Sequence, residues 1–254
     1  MSLYNEPVPP KDGEEPIFPP LLKGFCLGNI DDLISKVIKK ASLGSVGEVF
    51  YNEANDLLNF AITLAPEVSL IKSSQMQHAF MVAVGDSIGA LAPPEISVTY
   101  KFPGFILLNR GISGIVQIHY DFSLNSMKNK IPDWLIVEIK LRLNANFDKM
   151  PHDFRMENTS LAEEGAGFIS RVRLIESICK HFLVWINKWE QEGFKSVHKM
   201  WVARHDKENK YMLKNNEKAN WINLDEDGAG IFEINKKPTT IEIIHVNNYF
   251  DAII

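Results

Sequence analysis

Gly44-Ser45-Val46-Gly47 is the first stretch whose residue types could do chemistry. Glycines on either side of Ser45-Val46 leave backbone N–H groups open to a phosphate. The stretch follows an amphipathic helix and precedes a strand, so a helix C-cap and turn is the simpler reading. His78, His119, His152, His181, His198, His205 and His245 are scattered, and none pairs with another at metal-ligand spacing. Asp225-Glu226-Asp227-Gly228 opens like a calcium loop, but Lys236 stands where the bidentate glutamate of such a loop belongs. No metal site is expected. Cys179 lies beside Ile178 and Phe182 on an apolar helical face, a place for a small buried hydrophobe. Gly165-Ala166-Gly167 and Gly228-Ala229-Gly230 are too short for a phosphate fingerprint and read as turns.

These groups need a scaffold, and 254 residues with 45% hydrophobic composition suffice for one large domain plus an appendage. A net charge of -5 argues against a nucleic-acid or membrane-surface binder, which carries a basic excess. Two cysteines, Cys26 and Cys179, are too few for a disulfide framework. With no basic-then-apolar leader and no run long enough to span a bilayer, a cytoplasmic setting is expected.

The pattern along the chain divides it into three. Residues 1–24 hold Pro7, Pro9, Pro10, Pro16, Pro19 and Pro20 and read as an extended arm. Residues 25–204 form the principal domain. A helix is expected at 31–41, strands at Glu48–Tyr51 and Leu57–Leu64, a helix from Ser74 to Leu91, and a hairpin over Ile96–Asp121. Trp134–Leu143 alternates, with Ile139, Leu141 and Leu143 on one face and Glu138, Lys140 and Arg142 on the other. That period of two predicts an antiparallel strand with one wet face. The stretch from about 144 to 167 reads as an irregular loop. Leu174, Ile178, Phe182, Trp185 and Trp189 mark a long helix that Gly193 ends. Residues 205–254 read as a small all-β unit of short runs, the last at Thr240–Val246, with Asp227-Gly228 as a hairpin turn.

Several stretches in this order resemble the biotin protein ligase and lipoate ligase superfamily. Lys101-Phe102-Pro103-Gly104 resembles the family's K-W-P-N, and Ile112-Ser113-Gly114-Ile115-Val116 resembles its K-[LI]-x-G-[IV]-L. Thr159-Ser160-Leu161-Ala162-Glu163-Glu164-Gly165 resembles T-S-L-x-x-x-G. Trp185 to Phe194, followed by Trp201, resembles the family's E-x-G-F/L helix. Leu224-Asp225-Glu226-Asp227-Gly228-Ala229 is similar to a hairpin of its C-terminal SH3-like domain. Phe18–Leu22 and Ala92–Glu95 look like a bacterial biotin/lipoate A/B ligase-like subgroup.

The resemblance implies an α+β fold: a mixed, mostly antiparallel sheet flanked by helices, the class II synthetase-like core, with a small C-terminal SH3-like barrel. It implies ATP with Mg, a biotin- or lipoyl-type acid, and transfer to a lysine of an acceptor carrying a biotinyl or lipoyl domain. The sequence leaves open whether an exposed sheet edge makes a homodimer, and no nucleic-acid or membrane partner is expected. By position, Lys101 and Arg110 are the expected catalytic cations. Gly44, Ser45, Gly47, Gly104, Ser113 and Gly114 are expected to bind the cofactor. The arginines of the family's glycine loop are absent, and its hairpin lysine falls at Arg110-Gly111. A non-catalytic cofactor- or acceptor-binding module is therefore the alternative. Cysteine-based acyl transfer, as in octanoyltransferase relatives, would have to use Cys179.

Overall fold

The computed structural model describes residues 15–54, 56–124, 127–145, 151–208 and 210–250. Pro7, Pro9 and Pro10 of the expected arm lie outside them. Four elements open the chain: β1 (Lys23–Cys26), α1 (Leu33–Ala41), β2 (Glu48–Tyr51) and β3 (Leu57–Leu64). Next come α2 (Leu70–Ser73), α3 (Met76–Leu91), β4 (Val98–Lys101), β5 (Phe105–Leu108), β6 (Gly111–His119) and β7 (Leu135–Arg142). The order β1-β2-β3-β7-β6-β5-β4 makes a seven-stranded sheet, antiparallel except for the β1–β2 pair. This is the expected mixed, mostly antiparallel sheet.

Helices flank both faces because their sequences differ. α3 is apolar nearly all round, and twelve of its sixteen residues are buried. Such a helix must be covered on every side. It lies between the sheet and α5 (Arg171–Glu192), which follows α4 (His152–Glu157). α5 presents Leu174, Ile178, Phe182 and Trp185 to the core. Its first turn is closed by Ser170, whose hydroxyl accepts from the Arg173 N–H at 3.2 Å. Ser170→Ala is expected to cost about 1 kcal/mol, read as a lower urea midpoint with an unchanged slope. α1 is amphipathic and covers only the outer face of β2, β3 and β7, through Leu33, Val37 and Ala41 against Phe50, Ala61 and Ile136.

After α6 (Lys195–Ala203) come β8 (Lys210–Met212), β9 (Lys218–Leu224), β10 (Gly230–Ile234) and β11 (Lys237–Ile241). They form a second, four-stranded antiparallel sheet, consistent with an SH3-like unit. The link before it covers the β4 edge: the Tyr100 N–H donates to Arg204 O and the Asp206 N–H to Tyr100 O, both at 2.8 Å, so these edge groups are paired. The Phe102 N–H donates to Tyr211 Oη at 3.1 Å, and the Phe102 ring meets Trp221, Phe232 and Phe250. On α3, fully buried His78 donates Nε2–H to the Gly228 carbonyl at 2.7 Å. Its Nδ1 has no partner among the described residues.

Burial pushes the His78 pKa down to about 4, against the pull of the Gly228 carbonyl. The folded value lies below the ordinary 6.5, so the unfolded chain takes the proton first as pH falls. Stability from neutral His78 is full above about 6.5 and is lost as pH drops toward 4. Urea midpoints titrated across that window are expected to fall less steeply in His78→Gln than in the native chain.

Three expectations are corrected. The helix expected from Ser74 to Leu91 starts two residues later, as α3, because Ser74-Gln75 form the turn that leaves the short α2. The expected loop at 144–167 contains α4, set up by Pro151, whose fixed φ suits a helix entrance. The strand expected at Thr240–Val246 ends at Ile241, and Ile243–Asn248 is a 3-10 helix. Its Ile243 and Ile244 are buried, and that burial overrides their strand propensity.

Candidate functional site

The outer face of the sheet carries an unusual row of side chains. Residues directly opposite on antiparallel neighbours share a face. Ala61 and Ile136 pack under α1, so residues two and four further along the same strands share that side. Asn59 on β3 opposes Lys140 on β7; Lys140 opposes Ile115 on β6; Ile115 opposes Phe105 on β5; Phe105 opposes Lys101 on β4. One row along, Ala61 opposes Glu138, which opposes Gln117. One row the other way lies Arg142, opposite Leu57. Ser113 is the residue at which β6 bulges against β5, between Ile112 opposite Leu107 and Gly114 opposite Ile106. Lys101 and Lys140 thus share one row, about 14 Å apart at three strand spacings.

Three of these polar side chains are almost wholly buried: Asn59 at 3%, Ser113 at 0% and Glu138 at 2% exposure. Each has one atom, Asn59 Oδ1, Ser113 Oγ and Glu138 Oε1, with no hydrogen-bond partner among the described residues. An orphaned buried polar atom costs about 1–3 kcal/mol, so Asn59 and Glu138 on one face mark a place built for something else. Glu138 is anchored on its other oxygen by His119 Nε2 at 2.9 Å, and Lys140 Nζ stands 3.8 Å from Oε1. Lys140 also helps hold the Asp32 carboxyl below its ordinary pKa, after the hydrogen bonds from Ser35. The Arg142 guanidinium donates Nη1–H to the Ile112 carbonyl at 3.1 Å and stacks 5.3 Å from the Phe154 ring. Burial pulls its pKa down, but an arginine keeps its charge.

The end of β7 is held firmly. The Thr159 N–H donates to Ile112 O at 3.0 Å, and the Leu161 N–H to Arg142 O at 3.1 Å. Glu164 accepts from Thr159 Oγ1 at 2.5 Å and Asn109 Nδ2 at 2.7 Å, tying the β5–β6 turn to the Thr159–Leu161 stretch. Two of the stretches singled out in the sequence therefore meet and fix the backbone from which Arg142 and Ser113 project.

The expected site residues divide. Lys101 lies on this face, although its ammonium rests 5.0 Å over the Tyr211 ring, and Ser113 sits buried at the β6 bulge. Arg110 is exposed at the hairpin tip in a positive-φ turn with Asn109. Gly104 and Gly114 have a packing reason. A Cβ on Gly104 would overlap the Val116 carbonyl, and one on Gly114 would sit 2.5 Å from Lys140 O. Gly44 is the turn that ends α1, at φ +91° with its N–H on Ala41 O. The Ser45 hydroxyl is bonded to the Glu48 carboxylate. Gly47 donates its N–H to Thr63 O. Thr63 is at the far end of β3 from Leu57 and Arg142, about 20 Å along the strand. Gly47 therefore stands at the opposite strand end from Arg142 and the Asn109-Arg110 turn. Gly47 instead lines an apolar groove of about 620 Å³ with Leu64, Met76, Leu135 and Trp189. Cys179 is buried in the core and its thiol pKa is pushed up, which removes it as a nucleophile. No group of three metal-ligating side chains occurs among the described residues. Among them, too, no helix is long and apolar enough to cross a membrane.

Sequence reading passed over Asn59, Glu138, Lys140 and Arg142. The last three were visible as the polar half of an alternating strand and were expected to be wet. β7 is paired on both sides and lies partly under α1, so Glu138 is buried instead.

The comparisons with known proteins agree with this architecture. A biotin protein ligase-like protein of unknown function from Silicibacter sp. TM1040 is 29% identical, with a TM-score of 0.81 over 91% of this chain and 98% of its own. Biotin protein ligase from Aquifex aeolicus, in complex with biotin and ATP, is 16% identical, with a TM-score of 0.65 over 86% and 95%. Biotin protein ligase from Leishmania major, in complex with biotin, is 14% identical, with a TM-score of 0.55 over 92% and 100%. No curated protein matches the chain. The family model for biotin/lipoate A/B protein ligases matches residues 18–203, and the chain belongs to that family.

Proposed function

We propose that the protein binds a carboxylic acid on the outer sheet face and activates it with ATP for transfer to a lysine of an acceptor protein. The single observation that carries this reading is the pairing of two cations, Lys140 and Arg142, with two buried, partly unpartnered polar side chains, Asn59 and Glu138, on one face. Cations and fixed donors are what a carboxylate and a triphosphate need when brought together, because they otherwise repel each other. In the proposed reaction a carboxylate oxygen attacks the α-phosphorus and pyrophosphate leaves. The acceptor amine then attacks the acyl carbon, AMP leaves, and the amine loses its extra proton. Arg142 and Lys140 hold the carboxylate. Lys101, in the same row, faces the nucleotide phosphates, and Mg arrives with the nucleotide. Residues 25–204 form the ligase-like unit, and residues 205–254 the small all-β unit. The Aquifex relative bound to biotin and ATP supports the nucleotide part of this reading.

A second reading is a module that holds the acid without turnover. The exposed placement of Arg110 and the remote Gly44–Gly47 loop favour it. Acid-dependent exchange of labelled pyrophosphate into ATP separates the two. Exchange above the no-acid background is expected, and calorimetric binding of an acid with no exchange would select the module instead.

A further inference from the structure

We infer that two copies of this chain dock through the α1–β2 turn, each placing Leu43 in the other's Gly47–Trp189 groove. The contact is independent of the acid site on the outer sheet face. The turn itself is well held. The Leu43 and Ser45 N–H groups donate to Lys40 O, and the Gly44 N–H donates to Ala41 O. Its apolar side chains nevertheless point outward: Leu43 is 87% exposed and Val46 52%. Leu21, at 77%, belongs to the same patch. The Lys23 N–H donates to Gly47 O, and Leu21 O lies 3.0 Å from where a Gly47 Cβ would stand. One exposed leucine is ordinary, but three large apolar side chains beside an open apolar groove form a contiguous patch of the kind that marks an interaction site. Leu21 and Val46 also wall the groove, with Leu64 and Trp189. The Trp189 Nε1–H donates to Gln75 Oε1 at 2.7 Å, so that wall is set before anything docks.

The patch is self-complementary. Leu43 is a projecting knob, and the groove begins three residues on at Val46, within about 10 Å. A two-fold axis between knob and groove carries each knob onto the other copy's groove, an isologous contact that closes at two copies. The charges select the same partner. Glu67 and Glu190 are the only charged residues lining the groove among the described residues, so an apolar guest with cations at its rim fits and an anionic one is repelled. The chain carries such a guest beside the groove: Lys39 and Lys40 stand exposed in the last turn of α1, just before Leu43. Neither these lysines nor Glu67 and Glu190 form an ion pair among the described residues. The two-fold sets the lysines of one copy against the carboxylates of the other. Burial of Leu43 supplies affinity, and the rim charges fix the register.

Sedimentation equilibrium of the full chain tests this. A dimer is expected that dissociates as the chain is diluted through the micromolar range. Leu43→Asp is expected to raise its dissociation constant at least about 100-fold, because a carboxylate would enter an apolar groove twice per dimer. Lys40→Glu is expected to raise it about tenfold, and Lys40→Glu combined with Glu190→Lys to recover most of that loss. All three side chains are exposed, so the variants keep the fold. A native chain that stays monomeric would overturn the inference, whether the groove then takes a basic peptide or the chain's own residues 1–14. A dimer that Leu43→Asp leaves intact would overturn it as well.

Discussion

Arg142→Met is expected to weaken binding of the carboxylic acid about 100-fold while the protein still unfolds cooperatively. The guanidinium already spends one N–H on the Ile112 carbonyl and one face on Phe154, so its orientation is set before any ligand arrives. A preoriented, half-buried cation loses little entropy on binding and meets its anion in a low-dielectric setting. Charge-assisted hydrogen bonds of this kind carry about 1.5–3 kcal/mol each, and a 100-fold change corresponds to about 2.7 kcal/mol. Methionine replaces the stem and keeps contact with Phe154, so the structural cost is expected to stay near 1 kcal/mol. Arg142→Lys should recover the charge but not the planar fork, leaving a loss of about tenfold. The check is a titration calorimetry series beside urea unfolding. Unchanged affinity in Arg142→Met would remove this residue from the site.

Gly104→Ala is expected to destabilise the fold by at least about 3 kcal/mol. The resemblance assigns this glycine to cofactor binding, whereas its position shows a steric demand. The Gly104 carbonyl accepts from the Val116 N–H at 2.8 Å, and an added Cβ would overlap the Val116 carbonyl and crowd Gln77. Both strands would have to separate, because the clashing atom is backbone. The same holds more mildly at Gly114 against Lys140 O. A chemical-denaturation midpoint that barely moves in Gly104→Ala, together with lost ligand binding, would restore the cofactor role.

Much of the scaffold was legible from residue pattern. Strands Glu48–Tyr51 and Leu57–Leu64 carry β-branched and aromatic runs, and both form where expected. The long helix through Leu174, Ile178, Phe182 and Trp185 follows from its apolar stripe and serine cap. The site was less legible, because its residues come from strands far apart in sequence. Asn59 and Lys140 are brought opposite each other only by the β3–β7 pairing. Alternation told which side Glu138, Lys140 and Arg142 share, but not that β7 lies in the middle of the sheet. A glycine motif drew attention to Gly44–Gly47, where local turn chemistry at the end of α1 accounts for both glycines. The His78–Gly228 bond, which joins α3 to the β9–β10 turn across 150 positions, has no local signature at all.

A crystal structure grown with biotin or lipoate and a non-hydrolysable ATP analogue tests the central claim most directly. Density for the acid is expected on the outer face of β3, β7 and β6, with its carboxylate on Arg142 and Lys140. Acid density in the Gly47–Trp189 groove or on the C-terminal sheet, with the outer face unaltered, would contradict it.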